Sequence, residues 1–112
     1  MNTDRPKLEL VNDGTDDEYS KTFTINDEDH TLANALRYLI MKNANVIFCG
    51  YTIPHPSETK VNFKIQTNKK VTALDVLEKG LNDLNQVCEH VTETFKRAVD
   101  NYESNNQEQM EV

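Results

Sequence analysis

The sequence predicts an α+β fold of two layers, β-β-α-β-β-α, with a four-stranded antiparallel sheet, two helices on one face and a long C-terminal helix. Three observations predict it. Apolar and polar residues alternate with a period of two over 19–26 and again over 61–67. The period becomes helical over 31–42. After residue 72, apolar or small residues recur in alternating steps of three and four as far as Tyr102.

The elements follow in order. Leu8 and Leu10 share one face of a short strand over 7–11, and Asn12-Asp13-Gly14 is a turn signal extended by Asp16-Asp17-Glu18. In the next strand Tyr19, Lys21, Phe23 and Ile25 point one way, while Ser20, Thr22, Thr24 and Asn26 point the other. Leu32, Ala35, Leu36, Leu39 and Ile40 then fall at helical spacing. Asp27, Glu28 and Asp29 stand at the helix start, where its dipole favours negative charge. Asn43 and Asn45 are terminators. A β-rich run over 46–53 ends at Pro54-His55-Pro56, since two prolines in three residues remove ladder donors. The strand over 61–67 turns Val61, Phe63 and Ile65 inward. Thr72 and Asp75 have capping-box spacing. The seam beyond is Leu74, Leu77, Leu81, Leu84, Cys88, Val91, Phe95, Ala98 and Tyr102. We expect a flexible N-terminus over 1–6, a domain over 7–102 and a disordered acidic tail over 103–112.

Composition narrows the function classes. A chain of 112 residues holds one domain with one modest core. Its formal net charge of -7 opposes the phosphate contacts that dominate nucleic-acid affinity, so no direct nucleic-acid binding is expected. The polar start lacks the apolar core of a signal peptide, and no apolar run reaches membrane-spanning length. Cys49 and Cys88 lie far apart in patterned segments and read as reduced, buried thiols rather than a disulfide or zinc framework.

No residue set reads as a catalytic or metal centre, and no cofactor is expected. Asp27-Glu28-Asp29-His30 has the residue types of a metal cluster, but neighbours at a strand-to-helix junction point apart. His55, between two prolines, shapes the turn or meets a partner, and His90 is a surface residue beside the seam. The order β-β-α-β-β-α is also used by a pterin carbinolamine dehydratase, but the adjacent His-His-Pro of that enzyme is missing here.

The long helix calls for a partner. About 31 residues make a helix of about 46 Å, whereas a domain of this size has a radius of gyration of about 13 Å. The sheet covers roughly the first half, so Leu74, Leu77 and Leu81 should be shared with it. Leaving Val91, Phe95 and Tyr102 uncovered forfeits roughly 1.5–3 kcal/mol each. The alternative is a helix that bends back over its own sheet, with the seam as plain core; otherwise the partner is either a different chain or, in a free homodimeric scaffold, a second copy. Gly80 inside the helix marks either a close crossing with another backbone or a tolerated neutral glycine.

Two longer motifs are more specific. Glu28-Asp29-His30-Thr31-Leu32-Ala33-Asn34-Ala35-Leu36-Arg37 resembles the signature of the small alpha-like subunits of archaeal and eukaryotic RNA polymerases, relatives of the N-terminal domain of bacterial alpha. Phe48-Cys49-Gly50-Tyr51-Thr52-Ile53-Pro54-His55-Pro56-Ser57-Glu58, then Ile65-Gln66-Thr67, extends the resemblance over about residues 7–102. Tyr38 to Asn43 and Phe48 to Tyr51 look like the version shared by RNA polymerases I and III. The polymerase II version usually has leucine at the position of Ser57. Ala33 stands where the family normally has glycine.

The resemblance implies the same fold and no active site. It implies a heterodimer with a larger alpha-like subunit, which nucleates assembly and docks the two large catalytic subunits. The expected interface is Leu32, Leu36, Leu39 and Ile40 with Leu81, Leu84, Cys88, Val91 and Phe95. Arg37, His55, Pro56, Ser57 and Glu58 are the expected docking residues for a large subunit. The nucleus, including the nucleolus, is the expected location, with ribosomal, transfer and 5S RNA as the transcripts supported. No membrane or small-molecule partner is implied.

Overall fold

Each change of sequence period becomes a change of element. In the computed structural model these are β1 (Leu8–Leu10), β2 (Ser20–Asn26), α1 (His30–Met41), β3 (Val46–Thr52), β4 (Lys60–Thr67) and α2 (Ala73–Met110). The structure describes residues 6–12, 14 and 16–110, with side chains described as far as residue 107. Asp13 of the turn signal lies outside them, as does the expected flexible N-terminus apart from Pro6, whose carbonyl accepts a hydrogen bond from Asn26 Nδ2 at 2.7 Å.

The strands form one antiparallel sheet in the order β1-β2-β4-β3, so β1 and β3 are its edges. Phe23 lies opposite Phe63 and Ile25 opposite Val61, which stacks the apolar faces of the two central strands in register. Leu36 and Ile40 of α1 and Val76 and Leu77 of α2 close over them. Ala33 is buried in the same core, which takes its methyl group. On the open face Thr24 Oγ1 donates to Asn62 Oδ1 at 2.9 Å across the strands.

The helix starts are capped as their residue types dictate. Asp29 Oδ1 accepts from Thr31 N–H at 2.9 Å, and Thr72 Oγ1 accepts from Asp75 N–H at 3.1 Å. Gly80 sits where α2 passes α1. A Cβ there would lie 2.6 Å from Ile40 Cγ1 and 3.3 Å from Leu36 Cδ1. The glycine therefore permits a close crossing, with side chains of the chain's own α1 rather than with another backbone.

Two expectations change. The helix continues to Met110, through most of the segment 103–112 read as a disordered tail. Its residues are polar, but they extend a helix already nucleated, and adding a turn needs no new nucleus. Of the three α2 residues expected to be shared with the sheet, only Leu77 enters the core. Ala73, Val76, Leu77 and Gly80 are buried, whereas Leu74 is 57% and Leu81 37% exposed. A straight helix turns about 100° per residue, so a heptad seam drifts about 20° per heptad. Leu74 and Leu81 lie on the flank of the seam turned away from the α1 crossing at Gly80.

Candidate partner interface

Beyond Leu84, α2 leaves its own domain. Residues 85–98 and 100–107 are all exposed, with Val99 half-buried between them. The chain measures 71 × 37 × 21 Å with a radius of gyration of 19.3 Å, against the roughly 13 Å of a compact domain this size. The helix does not fold back over the sheet.

The projecting segment is strongly two-sided. At about 100° per residue, Leu84, Cys88, Val91, Phe95, Ala98 and Tyr102 form one stripe. Its flanks are Asn85, Val87, Thr92, Thr94 and Val99, none of them charged. Glu89, Glu93, Lys96, Arg97 and Asp100 all fall on the opposite side. In a two-stranded coiled coil the flanking positions commonly carry Glu and Lys. Their replacement here widens the seam into a face comparable to that of a helix packed in a bundle. Val87 was not singled out by sequence reasoning, although its spacing three residues after Leu84 was the available signal.

At its inner end this face runs into a groove of about 750 Å³ between α1 and α2. Leu39, Val71, Val76 and Val87 give it apolar walls, Gly80 lies along it, and Lys42, Lys79, Asp83 and His90 line it as well. Of the expected α1 contacts, Leu32 and Leu39 remain half-buried. Leu36 and Ile40 do not remain available: they are 0% and 2% exposed, packed at the Gly80 crossing. Their helical spacing marked a core face, and the core they serve is the chain's own.

The motif around α1 proves to be a set of structural clasps. Glu28 pairs with Lys7 Nζ at 2.7 Å, Asp29 caps the helix, and His30 turns to Tyr51, so the acidic cluster disperses. Among the described residues no group of three His, Cys, Asp or Glu is placed to hold a metal. Tyr51 donates its hydroxyl to Asn34 Oδ1 at 2.9 Å, and His30 Nδ1 lies 3.0 Å from the same oxygen. A phenol has one proton, so His30 donates to it through Nδ1–H. This clasp of α1 to β3 was not read from the sequence. Arg37 Nε donates to the Cys49 carbonyl at 3.0 Å, binding the same two elements further along. Burial pushes the Cys49 thiol up to about 11, with the Arg37 charge partly opposing it.

The loop after Pro54 braces itself. Ser57 Oγ lies 2.6 Å from His55 Nδ1, and Ser57 N–H donates to that nitrogen at 3.3 Å. Nδ1 is therefore the acceptor, and the ring N–H sits on Nε2. Glu58 N–H donates to the His55 carbonyl at 3.1 Å, and Glu58 pairs with Lys60 at 3.0 Å. His55, Pro56, Ser57 and Glu58 are all exposed, presented on a closed turn.

Known proteins share this arrangement. Residues 20–94 match the family described as the RNA polymerase Rpb3/Rpb11 dimerisation domain. The zebrafish Danio rerio protein "DNA-directed RNA polymerases I and III subunit RPAC2" is 55% identical over 89 residues, which are 80% of this chain and 80% of that one. The Schizosaccharomyces pombe protein of the same name is 64% identical over 76 residues, 68% of this chain and 61% of its own length. The crystal structure of DNA-directed RNA polymerase subunit L from Thermoplasma acidophilum shares the fold. Its TM-score is 0.70 at 22% identity, over 87% of this chain and 92% of that one. The chain therefore belongs to the Rpb3/Rpb11 dimerisation-domain family, in the group of subunits common to DNA-directed RNA polymerases I and III.

Proposed function

We propose that the chain is a non-catalytic assembly subunit of RNA polymerases I and III. It forms a heterodimer with the larger alpha-like subunit through the projecting face of α2, from Leu81 and Leu84 through Cys88, Val91 and Phe95, with Leu32 and Leu39 beside the inner groove. The observation that carries this is the uncovered apolar face itself, since exposed patches of that kind mark interaction sites. The pair nucleates assembly and docks the large catalytic subunits. For that docking Arg37 and the His55 to Glu58 turn are the surfaces on offer, held rigid by the bonds described above. The reading places the protein in the nucleus, including the nucleolus, in support of ribosomal, transfer and 5S RNA synthesis.

The test is expression with and without the larger alpha-like subunit. Alone, the chain should self-associate or precipitate; co-expressed, it should yield a soluble one-to-one complex. A chain that runs as a monomer at micromolar concentration in analytical ultracentrifugation would count against the proposal. A stable homodimer that ignores the larger subunit would favour a free scaffold instead.

A further inference from the structure

The two edges of the sheet are treated differently. At β3, Arg37 donates to the Cys49 carbonyl, and the pairing with β4 is interrupted between Val46 and Phe48. Bulges and charged groups of this kind discourage a further strand. β1 has neither. Its inward bonds run through alternate residues, with Val11 N–H donating to Thr22 C=O at 2.9 Å and Asn26 N–H to Lys7 C=O at 2.8 Å. In that register the N–H and C=O of Leu8 and Leu10 point outward, away from β2.

The side chains at this edge form a second feature. Leu8 is 39% and Leu10 58% exposed, and they line a cleft of about 530 Å³ with Phe23 and with Leu74 of the first turn of α2. Glu18, Asp75 and Lys21 also line it. Asp16 and Asp17 precede Glu18, so the sequence around the rim is predominantly acidic.

We infer that β1 and this cleft accept an extended segment of another protein chain, apolar at alternate positions and flanked by lysine or arginine. Outward main-chain groups recognise a strand rather than a helix, and the leucines of β1 and α2 receive every second side chain. Cationic flanks meet the acidic rim. A second copy of this chain fits less well, because pairing two β1 edges would bring two acidic rims together. The surface is separate from the projecting face of α2, so the inference does not depend on what that face pairs with.

The probe is a synthetic peptide, acetyl-Lys-Thr-Val-Thr-Val-Thr-Val-Thr-Lys-amide, titrated against the full chain at a concentration below the onset of its self-association. Saturable binding is expected, with slowed hydrogen exchange at the Leu8 and Leu10 amides. Leu10→Pro deletes an outward donor without removing a bond to β2, and Leu74→Ser removes one apolar wall. Each should weaken binding about tenfold or more, with circular dichroism confirming the fold. Replacing the terminal lysines of the peptide by glutamates should weaken it too, whereas Phe95→Asp should leave it unchanged. Absence of saturable binding, or binding indifferent to both Leu10→Pro and Leu74→Ser, would overturn the inference. So would exchange protection of Leu8 and Leu10 in the peptide-free chain on self-association, which would assign the edge to a second copy.

Discussion

The first three turns of α2 and the remainder continue one heptad pattern into opposite surroundings. Over 73–80 the helix turns Ala73, Val76, Leu77 and Gly80 into the core; past Leu84 it offers Val91, Phe95 and Tyr102 to solvent. The residue types scarcely change. What changes is the sheet, which ends after about a third of the helix. A heptad repeat specifies that a face is to be covered. Only the size of the rest of the domain decides whether the chain covers it itself.

The sharpest way to break that comparison is to place the same charge in each half. Leu77→Asp sets a carboxylate at a position 1% exposed, inside the apolar core. Burying an unpaired charge costs several kcal/mol, most of a stability that is about 5–15 kcal/mol in total. We expect loss of cooperative melting in circular dichroism. Phe95→Asp, at a position 68% exposed, should shift the stability of the free chain by no more than about 0.5 kcal/mol. Its penalty should fall on association, read by pull-down of the larger alpha-like subunit. Asn85→Asp and Gln86→Asp, off the stripe, should retain binding. Equal binding by Phe95→Asp and these controls would move the interface away from α2.

Much of this division was legible in the sequence. Alternation gave both central strands with their inward residues, and a seam outlasting any sheet of four short strands gave the projecting helix. The side of α2 that meets the sheet was legible only in part, at Leu77. Steps of three and four describe the average of two overlapping stripes, one through Val76 and Gly80 and one through Leu74 and Leu81, and only the position of α1 separates them. Leu36 and Ile40 failed for a related reason, since helical spacing marks a buried face without saying whose core it enters. The α1 motif was recognisable by resemblance, but its reasons lie in Tyr51, Cys49 and Lys7, distant in sequence. The helix past Tyr102 was missed because polar composition was read as disorder, although propagation along an existing helix needs little favourable propensity.

A smaller change probes the boundary between the halves. Gly80→Ala gains about 1 kcal/mol in helix propensity, but its methyl group would meet Ile40 Cγ1 at 2.6 Å. Overpacking of that kind costs about 1–3 kcal/mol, so we expect a net loss of up to about 2 kcal/mol, seen as a lower Tm. A raised Tm would mean that the crossing is looser than its geometry. Ile40→Val in the same background should recover part of the loss if the two sites are coupled.

The cysteines report the same contrast without a substitution. Cys88, expected to be buried, is instead exposed on the stripe because the sheet ends before it, and it should be alkylated readily in the free chain and protected in the complex. Cys49, buried with its thiol pushed up to about 11 from an ordinary 9.0, should react only through unfolding. Its folded state keeps a proton that the unfolded chain loses, so its contribution to stability is undiminished below pH 9.0. That contribution falls through the window from 9.0 to 11, by up to about 2–3 kcal/mol. Flat stability across that window would show that the thiol is solvated.

The smallest effect is expected at the far end of α2. Residues 103–107 are exposed on every side and offer Glu103, Ser104, Asn105, Asn106 and Gln107, with no apolar side chain to continue the stripe past Tyr102. Serine and asparagine rank low as helix formers, so this segment is helical as an extension of the turns before it and adds little to what holds them. Deleting residues 104–112 should lower the ellipticity at 222 nm in proportion to the helix removed. Tm and capture of the larger alpha-like subunit should stay unchanged. The comparison between the two halves of the helix would then end at Tyr102. If the truncated chain fails to capture its partner while still folding, the polar end contacts that partner directly. The boundary of the interface would then lie beyond Tyr102, past the end of the stripe.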